Sequence, residues 1–148
     1  MSREGNMSYD KKYLIWALSY AIVGMSLGIY MGASGNHIQH PTHAHILLVG
    51  FVVSLSYGII HKLWLSDFPA VSLARAQFIA HHTGAITMFI ALFMLFAQIV
   101  PPQHLEPVLA IAAITVLSAA VMMLVLVLKS LRVIGTLPTQ PGRNHAFR

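Results

Sequence analysis

Residues 36–51 read Asn36-His37-Ile38-Gln39-His40-Pro41-Thr42-His43-Ala44-His45-Ile46-Leu47-Leu48-Val49-Gly50-Phe51, and four of the nine histidines of the chain fall within them. The stretch runs from a polar, turn-forming start directly into an apolar run. Imidazole is the commonest side-chain metal ligand and the only side chain whose charge ordinarily changes near neutral pH. The reading of this stretch as the mouth of a membrane helix decides the fold.

Composition says what solvent the helix meets. Of 148 residues 57% are hydrophobic and only 9% charged, where a soluble domain carries roughly a quarter charged residues. Such a chain cannot cover its surface with polar groups, so its solvent is lipid. Cysteine is absent, which excludes disulfides, thiolate metal sites and cysteine nucleophiles. The positive balance does not point to nucleic acid, because the basic residues stand at helix ends, as membrane topology asks.

Working outward, four apolar segments appear, each near the ~20 residues a crossing helix needs. They cover residues 13–31, 43–65, 74–100 and 107–131. An all-α, four-helix transmembrane bundle follows, formed by residues 1–134 and followed by a flexible tail over 135–148. Turn chemistry separates the segments: Gly32 to Asn36, Ser66 to Pro69, and Pro101-Pro102-Gln103. The first segment exceeds the usual span of a cleaved signal and carries glycines at helical spacing, so it reads as a permanent helix. Lys11, Lys12, Lys62, Arg75, Lys129 and Arg132 flank the ends and the second connection, while the first and third connections carry no Lys or Arg. The positive-inside rule then places both termini in the cytoplasm. The histidine-rich connection faces the other side, the periplasm if the membrane is a bacterial inner one.

Small residues repeat every fourth position at Gly24, Gly28 and Gly32, and again at Gly50, Ser54 and Gly58. That spacing lets backbones approach where lipid supplies no hydrophobic push, and predicts close packing of the first two helices.

The histidines sort by depth. On a helix, His43 and His45 point about 200° apart and serve two different sides; in an extended segment both could face one way and chelate. His37, His40 and His104 lie in connections on the same membrane face, either solvated or adding ligands to a zinc or copper site with His43 and His45. His81, His82 and His61 lie inside the span near the other face. Ionisable groups there are costly and turn to the bundle interior. They are either hydrogen-bonded, to a backbone carbonyl or to Ser54, Ser56 or Tyr57, or belong to a cofactor or proton path. His81 and His45 differ by about 20 Å in depth and cannot share one iron. No carboxylate pair lies within the membrane, and no P-loop, nucleophile or dinucleotide motif occurs.

His43-Ala44-His45 followed by Leu48, Gly50 and Phe51, with Leu27 to Gly32 before it and Leu73-Ala74-Arg75 and His81 after it, resembles heme-copper oxidase subunit I and small four-helix proteins like it. The likeness covers about the first two-thirds of the chain. It implies b-type heme held by His43 and His45, with His81 as a further ligand, and a role in electron transfer or heme or gas sensing. Val49 stands where the copper-site helix of most oxygen reductases has tyrosine, so the likeness supports heme ligation more than oxygen reduction. Subunit I has about twelve helices in three four-helix arcs, so the resemblance implies a homotrimer of this chain. The alternatives are a histidine-based copper or zinc binding or transport protein, and a non-catalytic assembly partner of a respiratory oxidase.

Overall fold

A computed structural model describes residues 7–65 and 71–135, with side chains to residue 132. The chain forms four long helices: α1 (Tyr9–Ser34), α2 (His40–Trp64), α3 (Val71–Phe96) and α4 (Pro102–Gly135). All four are long and apolar enough to cross a membrane. The expected break at Ser66 to Pro69 and the expected tail beyond Gly135 lie outside the described residues.

The helices run alternately up and down. Tyr13 of α1, Leu65 just past α2, Ala74 of α3 and Leu126 of α4 share one buried cluster at what we term the basal end. The Ser130 hydroxyl there donates to the Trp64 carbonyl, closing α4 onto α2. Lys11, Lys12, Lys62, Arg75, Lys129 and Arg132 all belong to the helix ends that meet here, so the charge asymmetry seen in sequence is real in space. A second cluster of Tyr20, Ile46, Ala85, Met88, Phe89, Leu92 and Ala112 fills the half nearer the histidine-rich connection.

Glycine sets the spacing of α1 against α2, as expected. A Cβ on Gly24 would lie 2.5 Å from Leu47 Cδ2, and one on Gly28 would lie 2.9 Å from the His43 ring. One on Gly50 would meet Tyr20 Cγ at 2.8 Å, and one on Gly58 the Asp10 carbonyl oxygen at 3.3 Å. Gly32 takes no part, with nothing within 4 Å.

Helix ends move relative to the sequence expectation for local reasons. α2 starts at His40 because Pro41 sits in its first turn, where a missing N–H costs nothing. α3 stops at Phe96, short of Val100, through a Schellman motif. The Ile99 N–H bonds the Met94 carbonyl at 3.0 Å and the Gln98 N–H bonds that of Leu95 at 3.1 Å. Gln98 takes the left-handed position at φ 55°, where glycine is the usual residue. α4 starts at Pro102, which puts His104 in a helical first turn.

Within α2, Ile46–Val53 is wound as a π-helix, immediately after His45. Such widened turns concentrate at functional sites. An inserted residue rotates everything beyond it by about 100° relative to an unbroken α-helix. The relation of His43 and His45 to Ser54, Tyr57 and His61 therefore differs from simple helical counting.

Candidate functional site

The first connection holds the mouth of α2 by backbone chemistry. Gly35 ends α1 at φ 66°, and Asn36 Oδ1 accepts from the Ile38 N–H at 3.1 Å. Gln39, buried, accepts the Thr42 hydroxyl at 2.7 Å and donates Nε2 to the Phe93 carbonyl at 3.1 Å. This side chain ties the start of α2 to the end of α3, a role its sequence position gives no sign of.

His43 and His45 both lie in α-helix, His40–His45, so the extended, chelating alternative does not occur. His43 turns to α1, its Nδ1 2.8 Å from the Gly24 carbonyl oxygen. His45 Nδ1 lies 2.8 Å from the carbonyl oxygen of Pro41. A carbonyl only accepts, so each Nδ1 carries the proton. Each ring then keeps the Nε2 lone pair to offer a metal, with its orientation fixed through the opposite nitrogen, the usual outer support of a metal-binding imidazole. Both rings are half-buried. His45 heads a stripe on α2 that continues through exposed Leu48, Val52, Ser56 and Ile59. His37, His40 and His104 are exposed. Among the described residues, no three His, Asp or Glu side chains come together in a group that could hold a metal ion.

The second histidine group is at the basal half and is fully interior. His81 is 0% exposed, His82 4% and His61 7%. The Ser54 hydroxyl lies 2.9 Å from His81 Nε2, one of the alternatives that the residue types left open. The Tyr20 hydroxyl lies 3.0 Å from His82 Nδ1. Tyr13, wholly buried, donates its hydroxyl to Gln77 Oε1. Its ring is stacked on His61 at 5.6 Å and lies 5.3 Å from that of His82. Trp16 also stacks on His82, at 4.8 Å. Four buried nitrogens in this group have no hydrogen-bond partner: His61 Nε2, Gln77 Nε2, His81 Nδ1 and His82 Nε2. An orphaned buried polar atom costs about 1–3 kcal/mol, so a core holding four of them is not optimised for stability alone.

Tyr13, Tyr20, Trp16 and Gln77 were not singled out from sequence. A signal exists for the first three: with Tyr9 they recur at spacings of four, three and four residues along α1, one face of a helix. Gln77 stands one turn before His81 on α3 and had no comparable mark.

The two groups are separate. The apolar cluster of Ile46, Met88, Phe89 and Leu92 belongs to the half of the bundle between the basal histidines and the mouth of α2. Comparison of the chain with family models, with curated proteins and with solved structures gave no match.

Proposed function

We propose that this chain is a membrane electron-transfer subunit that binds b-type heme between copies of itself, with His43 of one copy and His45 of the next as the residues that would hold it. The observation that carries this reading is the pair of Nδ1–H bonds to backbone carbonyls, which leave two oriented Nε2 lone pairs at one membrane depth. Two residues apart on a helix, the rings point about 200° from each other. One chain therefore does not turn both rings to one site, and a neighbouring copy in a closed ring would supply the second. The apolar helix faces around them supply the greasy surroundings a macrocycle needs.

When bound, the heme supplies a reversible one-electron couple. The residues of this chain hold it, exclude water from its edge and set the basicity of its ligands through the Gly24 and Pro41 carbonyls. His81 does not suit the group: its Nε2 faces Ser54, and its ring is packed against Tyr57 at 5.0 Å and His82 at 5.0 Å. The reading places the basal end in the cytoplasm of a bacterial inner membrane, by the positive-inside rule, with a respiratory-chain protein as the electron partner.

The test is a reduced-minus-oxidised spectrum of the purified protein. A Soret band lost in both His43→Ala and His45→Ala, and kept in His37→Ala and His40→Ala, supports the reading. A colourless protein that retains zinc or copper replaces it with a metal-binding one.

A further inference from the structure

We infer that the cleft between α1 and α2 at the basal end binds a zwitterionic aminophospholipid. Asp10 takes the headgroup ammonium, Lys62 takes the phosphate, and the apolar residues beside them take an acyl chain. The site lies at the other end of the bundle from His43 and His45 and does not rest on the heme reading.

The cleft has a volume of about 230 Å³ and is lined by Asp10 and Leu14 of α1 and by Leu55, Gly58, Ile59 and Lys62 of α2. Its place follows from the glycine seam. A Cβ on Gly58 would lie 3.2 Å from Tyr13 Cβ and 3.3 Å from the Asp10 carbonyl oxygen, so the two helices come close together here. That approach brings a carboxylate from one helix and an ammonium from the other to a single cleft. Leu14 and Ile59 are exposed on its edges, so it opens sideways to lipid and not into the bundle.

The lining changes with depth in the order in which a phospholipid changes. Asp10 is in the first turn of α1 and Lys62 in the last turn of α2. Ile59 and Leu55 stand three and seven residues deeper along α2, about 4.5 and about 10 Å further into the membrane. Leu14 is one turn deeper than Asp10 along α1. The two charges are at headgroup level, because Lys11, Lys12 and exposed Trp64 belong to the same helix ends, and both Trp and Lys mark the membrane–water interface.

Charge selects the occupant. The apolar part of the cleft accepts any acyl chain. A lysine at the mouth by itself favours anionic headgroups. The Asp10 carboxylate beside it opposes them unless the headgroup brings a cation as well. One charge of each sign therefore matches a headgroup that carries one of each. The carboxylate also discriminates between zwitterionic headgroups. A primary ammonium donates charge-assisted hydrogen bonds to it, whereas a quaternary ammonium has no N–H to give.

Lipid competition on the wild-type protein tests this without any variant. The protein is equilibrated in detergent with equal amounts of phosphatidylethanolamine, phosphatidylcholine and phosphatidylglycerol bearing identical chains, and retained lipid is read by native mass spectrometry. Phosphatidylethanolamine should be retained about fivefold over phosphatidylcholine, the most that one exposed ion pair supplies, with phosphatidylglycerol last. Asp10→Asn should make the first two equal and bring phosphatidylglycerol forward. Lys62→Gln should lower retention of all three, and Ile59→Trp, which fills the cleft from its exposed edge, should release them. Lys129→Gln, at the same end but outside the cleft, should change nothing. Equal retention of phosphatidylethanolamine and phosphatidylcholine by the wild type overturns the inference. So does phosphatidylglycerol ahead of both, which would mean that the basic helix ends attract anionic lipid without a built site. A preference that survives Asp10→Asn overturns it too, as Asp10 and Lys62 would then serve only each other. A wild-type protein that retains no phospholipid, its cleft covered by a second copy or left open, overturns it as well.

Discussion

His43 Nδ1 donates to the carbonyl oxygen of Gly24 across 2.8 Å, and a Cβ added to Gly28 would lie only 2.9 Å from Cε1 of the same ring. One helix thus supplies both the acceptor and the space for a histidine of the next. Replacing Gly28 by Ala forces the ring aside, and Gly28→Leu does so further. In the purified protein, heme content should fall in the order wild type, Gly28→Ala, Gly28→Leu, measured from the Soret-to-280 nm ratio. A Gly32→Ala control should match wild type, since nothing lies within 4 Å of Gly32.

Gly50 bears on stability more than on the ligand. An added Cβ would lie 2.8 Å from Tyr20 Cγ and 3.0 Å from Tyr20 Cβ, the rigid root of that side chain. Overpacking of this kind costs about 1–3 kcal/mol. Thermal unfolding in detergent should show Gly50→Ala melting below wild type.

Gln98 is a non-glycine residue in the left-handed region, exposed, with φ 55°. That conformation costs roughly 1 kcal/mol for a residue with a Cβ. Gln98→Gly should raise stability by about that amount in the same assay, with no change in spectrum.

Ser54 faces His81 at 2.9 Å, and both are 0% exposed. Ser54→Ala leaves His81 without a partner on either nitrogen, at a cost of about 1–3 kcal/mol. A second change, His81→Leu, should recover part of that loss, because two apolar groups replace an orphaned polar one. A double-mutant cycle by thermal unfolding reads the coupling.

The membrane class, the four helices and the glycine seam were legible in residue types, because lipid permits few ways to satisfy a backbone. For the interior histidines the residue types left several partners open, Ser54 among them, and only the structure singles out Ser54 for His81. The reach of α3 was not legible, because its stop signal is a glutamine in a glycine position. Nor was the rotation beyond His45, since nothing in Ile46–Val53 announces a π-helix. The tyrosines of α1 look like ordinary core until His61, His81 and His82 from two other helices close around them. That is a tertiary fact with only a spacing as its trace.

Topology follows from where the basic residues gather. Cysteines placed at Ser34, beyond the mouth of α2, and at exposed Leu63, at the basal end, should label from opposite sides of the membrane. Leu63→Cys should be protected in intact cells, and its labelling there would reverse the assignment of the cytoplasmic face.

The most direct measurement is complementation between two inactive chains. His43→Ala and His45→Ala, each alone, should purify without heme. When they are co-expressed, a site made from His43 of one chain and His45 of another is intact at about one interface in four by random mixing in a closed ring. Recovery of about a quarter of the wild-type Soret absorbance, in an oligomer containing both chains by native mass spectrometry, is the result predicted here. Mixed oligomers that contain both chains and remain colourless, or a monomer that keeps one heme per chain, would contradict the shared site.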